Sequence, residues 1–220
     1  MKQKKLIIYG IGRLAEYVRF VFDEDSNYEV TGYCIERTYS NEQEFKGLPL
    51  HGFEELPGLV STDSVGLFIA VGQNQVRQRI FEEATKMDFF MPSYISSKAQ
   101  TWQNLRIGQN CFIGEGSVIQ PFVKIGNNSI HFGSRIGHHS IVEDHTLLSG
   151  TTIGGNTIIG EGSYLGLNST VQQNVTIGAK NIIGMNASIE ENTQENAVYT
   201  HRGTEKRSLT YDQVAQKFLL

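Results

Sequence analysis

The chain of 220 residues carries a formal net charge of −4, and that length admits two small domains or one medium one. No basic cluster follows the short MKQKK start, so a nucleic-acid partner has no electrostatic footprint here. The apolar run behind that start, LIIYGIG, is too short for a signal peptide or a membrane span, and the cysteines Cys34 and Cys111 make no disulfide framework. The chain reads as a soluble cytoplasmic protein.

In chain order, Lys5 to Tyr9 predicts an apolar strand that runs into Gly10-Ile11-Gly12. An amphipathic helix pattern follows, with Leu14, Tyr17, Val18, Val21 and Phe22 on one side and Glu16, Arg19, Asp23 and Glu24 largely on the other. Glu29 to Ile35 predicts a second strand, Gly66 to Val71 a third ending at Gly72, and residues 75–87 a second helix. Strand, helix, strand, strand, helix with glycine at strand ends predicts a small α/β domain around a parallel sheet. Its ligand crevice lies beyond the carboxyl ends of the strands, where Gly10, Gly12, Glu36 and Gly72 fall. Pro92 bounds this domain, 1–92.

The Gly10-x-Gly12 turn has two readings. It brings backbone amides close to a phosphate at a helix N-terminus, or it is a tight strand-to-helix turn with no ligand. A dinucleotide fingerprint is incomplete, since Tyr17 or Glu16 stands near the place of its third glycine. Arg13 opens the helix, to pair with a phosphate or to be solvated. The amides of Gly72-Gln73-Asn74 either contact a nucleotide or cap the helix that starts there.

From Ile107 an aliphatic residue recurs every six positions: Ile107, Ile113, Ile119 and Ile125, then Ile130, Ile136, Val142 and Leu148, then Ile153 through Leu165 to Ile189. The next position is usually small or polar and the fifth is short, as at Cys111, Ser117, Ser129 and Ser140. Neither the helix period nor the strand period gives this pattern. A hexapeptide repeat does: six residues make one strand and corner, and three such units make one triangular coil of a parallel β-helix. The register slips by one residue after Ile125 and again after Leu148. Ile95 and Thr101 share the register, so the prism starts near residue 95, holds five to six coils and, with strands ~4.8 Å apart, stands about 25 to 30 Å tall.

A GxG α/β domain followed by such a prism resembles the bacterial sugar acyltransferases of the sialic acid O-acetyltransferase and bacillosamine-pathway N-acetyltransferase type. The resemblance covers nearly the whole chain, and its more specific pieces are IAVGQNQVRQRI (69–80), PSYISSKA (92–99), IQPFVKIG (119–126) and IGHHSIVEDH (136–145). It implies a Rossmann-like N-terminal domain that binds a nucleotide-linked amino sugar, and a left-handed β-helix acyltransferase domain over 93–198. It further implies a homotrimer that takes acetyl-CoA between two prisms for surface glycan precursor synthesis. The family's general base carries over onto His138. The acidic residue that follows it in bacillosamine-type members is His139 here. By position, Gly10, Gly12, Arg13, Leu14, Glu36, Arg37, Gly72, Gln73 and Asn74 match the nucleotide-sugar site. CoA would run past Gly166 and Leu167, with Lys206 and Arg207 meeting its phosphates or solvating the tail, 199–220, whose residues 209–220 predict a short amphipathic helix.

The repeat geometry bears on this independently. His138 is the third residue of its repeat and points outward, and the third residue of the adjacent coil on that face is Gly155, about 4.8 Å away. An imidazole under a backbone amide suits acyl transfer, because one takes a proton and the other donates to the thioester carbonyl oxygen. His145 lies one repeat on, on a different face, to complete a site from a neighbouring subunit or to be a surface histidine. His131 and His51 read as exposed and idle. The predicted reaction is acetyl transfer to the amino group of a nucleotide-linked deoxy sugar, with no acyl-enzyme and no metal. O-acetyl or formyl transfer, a zinc hydratase with histidines at a subunit interface, and a non-catalytic scaffold are the alternatives.

Overall fold

The computed structural model describes residues 4–206 and Ser208. Arg207 and the helix expected over 209–220 lie outside the described residues.

The N-terminal unit is built on β1 (Lys4–Tyr9), α1 (Arg13–Asp25), β2 (Tyr28–Ile35), β3 (Glu44–Phe45), β4 (Leu48–Gly52), α2 (Leu56–Leu59), β5 (Val65–Ile69) and α3 (Asn74–Lys86). The sheet order is β3-β4-β2-β1-β5, parallel except for the β3–β4 pair. As a central strand, β1 is apolar on both sides: Leu6 and Ile8 meet Val18 and Phe22 of α1, and Ile7 and Tyr9 share a core with Ile80 and Ala84 of α3. The β3–β4 hairpin and α2 correct the sequence reading, which left residues 44–59 unassigned. A two-residue strand carries no alternation, and Pro49 weakens the next. The hairpin signal was its Lys46-Gly47 turn, both residues of which have positive φ, 51° and 78°.

The prism has three faces of five, seven and five parallel strands. The first face starts with Arg106–Ile107 and Lys124–Ile125, the second with Tyr94–Ile95 and Phe112–Ile113, and the third with Val118–Ile119 and Arg135–Ile136. Inward side chains such as Ile113, Ile119, Val142, Ile159 and Ile177 form one continuous core, and small fifth residues such as Cys111 and Ser117 are fully buried beside them. Backbone in the left-handed region makes the edges. Asn110, Asn128, His145 and Gly162 stack on the first–second edge, Gly116, Gly133, Gly150 and Asn168 on the second–third edge, and Phe122, His139, Asn156 and Asn174 on the third–first edge. Glycine and asparagine adopt this conformation most readily.

One register slip lies a repeat later than the sequence predicts. His131, not Ile130, is the inward residue, paired with Ile113 in one coil and Leu148 in the next, so the five-residue repeat runs from His131 to Ile136. Ile130 faces outward and is apolar because the N-terminal unit covers it. His131 is therefore no idle surface residue. It is fully buried, and among the described residues neither ring nitrogen has a hydrogen-bond partner.

The N-terminal unit sits on the second face, where Phe112, Ile130 and Leu147 join Tyr17, Phe22, Phe68 and Tyr94 in a shared core. Arg77 fastens the contact. It is fully buried, and its guanidinium donates to the carbonyls of Val71, Gly72, Asn128, His145 and Thr146 and to Asn74 Oδ1. Burial pulls its pKa down to about 10, so it remains cationic at neutral pH. Six oxygens in place of a carboxylate satisfy the buried charge.

Candidate active site

The N-terminal crevice lies between β1 and β5, where the chain leaves toward opposite faces of the sheet. Gly10 has φ 119°, and a Cβ there would lie 3.1 Å from the Ala70 carbonyl oxygen, so the close approach of the two strand ends requires glycine. Gly12 caps α1 without a side-chain bond. Gly12 and Arg13 are exposed on one lip, Gly72 and Gln73 on the other. Leu14 packs into the core behind them.

Other expected residues bond within the protein. Glu36 accepts from Tyr9 Oη at 2.8 Å and from both Arg79 nitrogens at 2.9 Å, and Arg79 holds its carboxyl below the usual range. Arg37 forks onto Glu55 at 2.9 Å and reaches the Glu42 carbonyl. Asn74 caps no helix. Its Nδ2 donates to the carbonyls of Gly162 and Ser163 at 3.0 and 3.1 Å, which ties the crevice to the prism. Beside it a cleft of about 390 Å³ runs between Gly72–Gln75 and the prism residues Gly162, Tyr164, Lys180 and Ile182.

His138 projects from the third–first edge and is exposed. Its ring lies against the backbone of Gly155, where a Cβ would come within 2.9 Å of Cε1 and 3.0 Å of Nε2. The backbone N–H of His138 donates to Gln120 Oε1 at 2.9 Å, and its carbonyl accepts from the Asn156 N–H at 2.8 Å. Nδ1 of His138 lies 3.1 Å from Nδ1 of His139. Among the described residues nothing bonds Nε2, which leaves that nitrogen open to a substrate proton.

His145 departs from both of its readings. It is 6% exposed, stacks against Phe81 of α3, and its Nδ1 contacts Asn128 Nδ2 at 2.8 Å. It belongs to the seam between the N-terminal unit and the prism, not to the surface or to a neighbour's site. Gly166 and exposed Leu167 lie by the second–third edge, across the third face from His138. Lys206 is exposed. Among the described residues no three His, Cys, Asp or Glu side chains gather as a metal centre, and no helix is long and apolar enough to cross a membrane. Both cysteines are buried thiols.

One chain does not bring crevice and His138 together. The N-terminal unit covers the second face, and the third–first edge is the one that does not border that face. The sequence reading missed Arg77, the Tyr9–Glu36–Arg79 network and Phe122. An arginine in the buried stripe Arg77, Ile80, Ala84 was the available signal for the first.

A parallel β-helix with an α/β unit docked on one face defines a class of hexapeptide-repeat protein. Residues 5–84 match the model of the PglD N-terminal domain, and residues 89–199, half of the chain, match that of the GMPPB C-terminal domain. The chain belongs to this hexapeptide-repeat family, and the resemblance read from the sequence is borne out, as is the left-handed β-helix. The fold is that of the acetyltransferase domain of PglB from Neisseria gonorrhoeae FA1090 in complex with acetyl coenzyme A, at 23% identity over 89% of this chain and 95% of that one, with a TM-score of 0.80. A mutant perosamine N-acetyltransferase from Caulobacter crescentus in complex with CoA and GDP-perosamine is 23% identical over 88% and 92%, with a TM-score of 0.79. WeeI from Acinetobacter baumannii AYE is 17% identical over 89% and 95%, with a TM-score of 0.75.

Proposed function

We propose that the protein is an acetyl-CoA-dependent sugar N-acetyltransferase acting on the amino group of a nucleotide-linked deoxy sugar. The observation that carries this reading is the outward imidazole of His138 lying on the Gly155 backbone with Nε2 unengaged. The neutral amine attacks the thioester carbonyl, Nε2 of His138 takes the amine proton, and the Gly155 N–H stabilises the oxyanion. The C–N bond forms, the C–S bond breaks, and CoA leaves as its thiol with the proton that His138 took from the amine. Holding thioester and amine together supplies much of the acceleration without an acyl-enzyme. The CoA and GDP-perosamine complexes of proteins sharing this fold support the reading.

In this reading residues 1–92 hold the nucleotide sugar, with Gly10, Gly12, Arg13, Gly72 and Gln73 lining the site. Residues 93–198 carry out transfer, and CoA passes Gly166 and Leu167 toward Lys206. Because the crevice meets the prism at the first–second edge and His138 stands on the third–first edge, a homotrimer lets the crevice of one copy serve the edge of its neighbour. The compartment is the cytoplasm.

Release of free CoA thiol from acetyl-CoA tests the proposal, using UDP-, dTDP- and GDP-linked amino sugars with wild type and His138→Ala. Turnover with one amino sugar, lost in the variant, is expected. Silence with every amino sugar overturns N-acetyl transfer and directs the search to hydroxyl acceptors and metal content.

A further inference from the structure

We infer that His139 is a positioning residue for His138, accepting the Nδ1–H of its neighbour so that Nε2 stays deprotonated, and that Phe122 clamps His139 in that pose. This rests on the proposed role of His138 as base.

The two Nδ1 atoms are 3.1 Å apart, so one must donate and the other accept. A ring nitrogen that donates fixes the tautomer, leaving the other nitrogen as the proton acceptor. The rings stand at 87° with centroids 5.2 Å apart, which aims an edge of one at the other. No carboxylate bonds either ring among the described residues, so the hydrogen-bond partner of each Nδ1 is the other imidazole. Such a partner selects the tautomer but does little to stabilise an imidazolium.

The edge column supplies a second observation. Phe122, His139, Asn156 and Asn174 have φ of 66°, 60°, 56° and 62°. Asparagine enters this region readily, whereas a bulky phenylalanine there is an outlier. Phe122 is 61% exposed, so burial in this chain does not explain its placement. What its ring does touch is His139, at 4.6 Å between centroids and 37° between planes. The backbone beneath is also fixed, since His139 N–H donates to the Pro121 carbonyl and His138 N–H to Gln120 Oε1. Strain at Phe122 thus holds one imidazole against the next.

The test reads imidazole ¹⁵N shifts of His138 at neutral pH in wild type, His139→Gly, His139→Asn and Phe122→Ala, alongside turnover. Glycine and asparagine both accept the left-handed backbone, so the edge keeps its fold. Wild type is expected to hold His138 as the Nδ1–H tautomer. His139→Gly should lose that tautomer and drop kcat about ten- to a hundredfold with little change in KM, and Phe122→Ala should shift the tautomer part way. His139→Asn, which offers an Oδ1 acceptor, should restore both tautomer and rate. An Nε2–H tautomer in wild type, or an unchanged tautomer in His139→Gly, overturns the inference. Because the tautomer is read without turnover, a wild type that is silent with every acceptor yet shows the His139-dependent tautomer supports the relay and overturns acetyl transfer alone.

Discussion

The imidazole of His138 rests on the backbone of Gly155 in the next coil, where a single added methyl group would lie 2.9 Å from its Cε1. Gly155 has no such bulk, and the ring occupies the space. Gly155→Ala should therefore displace His138 while leaving the inward residues on either side, Ile153 and Thr157, packed as before. The expected result is a loss of about a hundredfold in kcat with an unchanged melting temperature. A crystal structure of the variant should show the ring rotated off its edge.

Arg77 bonds six oxygens and joins the two units through three of them, the buried carbonyls of Asn128, His145 and Thr146 on the prism. Arg77→Met keeps the volume but strands those acceptors, at a cost of about 3 to 5 kcal/mol. Urea unfolding should show the transition moved to lower denaturant, and the N-terminal unit should become the first site of limited proteolysis.

His131 makes the prism sensitive to acid. Burial lowers its pKa from 6.5 to about 3. Between those values the unfolded chain binds a proton that the folded chain refuses, so this contribution to stability is complete above pH 6.5 and is lost as pH falls toward 3. At pH 5 the loss is about 2 kcal/mol. His131→Leu should raise the melting temperature at neutral pH, by removing two unpaired nitrogens, and should flatten the acid side of the stability profile.

Arg13 and Arg37 separate a ligand role from a structural one. Arg13 is exposed at the crevice lip, whereas the guanidinium of Arg37 is spent on Glu55 and the Glu42 carbonyl. Arg13→Ala should raise KM for the nucleotide sugar with kcat and melting temperature unchanged, the signature of lost uniform binding. Arg37→Ala should leave KM close to wild type and speed proteolysis of the 37–55 segment.

The prism was legible because an inward aliphatic residue every six positions has few other physical causes. It failed at His131, where the interior residue is polar and the outward Ile130 is covered, so apolarity marked the wrong side. The β1–α1–β2 unit and α3 were legible from amphipathic periods and glycine punctuation. The β3–β4 hairpin was too short to show a period. His138 over Gly155 followed from coil arithmetic alone. His145 did not, because its burial depends on Phe81 of α3, and no local pattern encodes which face of a prism another unit will cover. Glu36 and Arg37 stood at the expected strand end, but their engagement with Arg79 and Glu55 arises from segments far along the chain.

The polar bonds along the first–second edge reach four successive coils: Ile69 N–H holds Asn110 Oδ1, Arg77 holds the carbonyls of Asn128, His145 and Thr146, and Asn74 holds those of Gly162 and Ser163. A solenoid whose coils touch only their neighbours unzips from its ends. Here the α/β unit acts as a splint, so these four coils must open together or not at all. Among the described residues these bonds end at Ser163, so the coils beyond it lack the splint and are freer to fray. Native-state hydrogen exchange should divide the prism into a slow, cooperative block and a faster distal end, a stability gradient that an unadorned repeat would not possess.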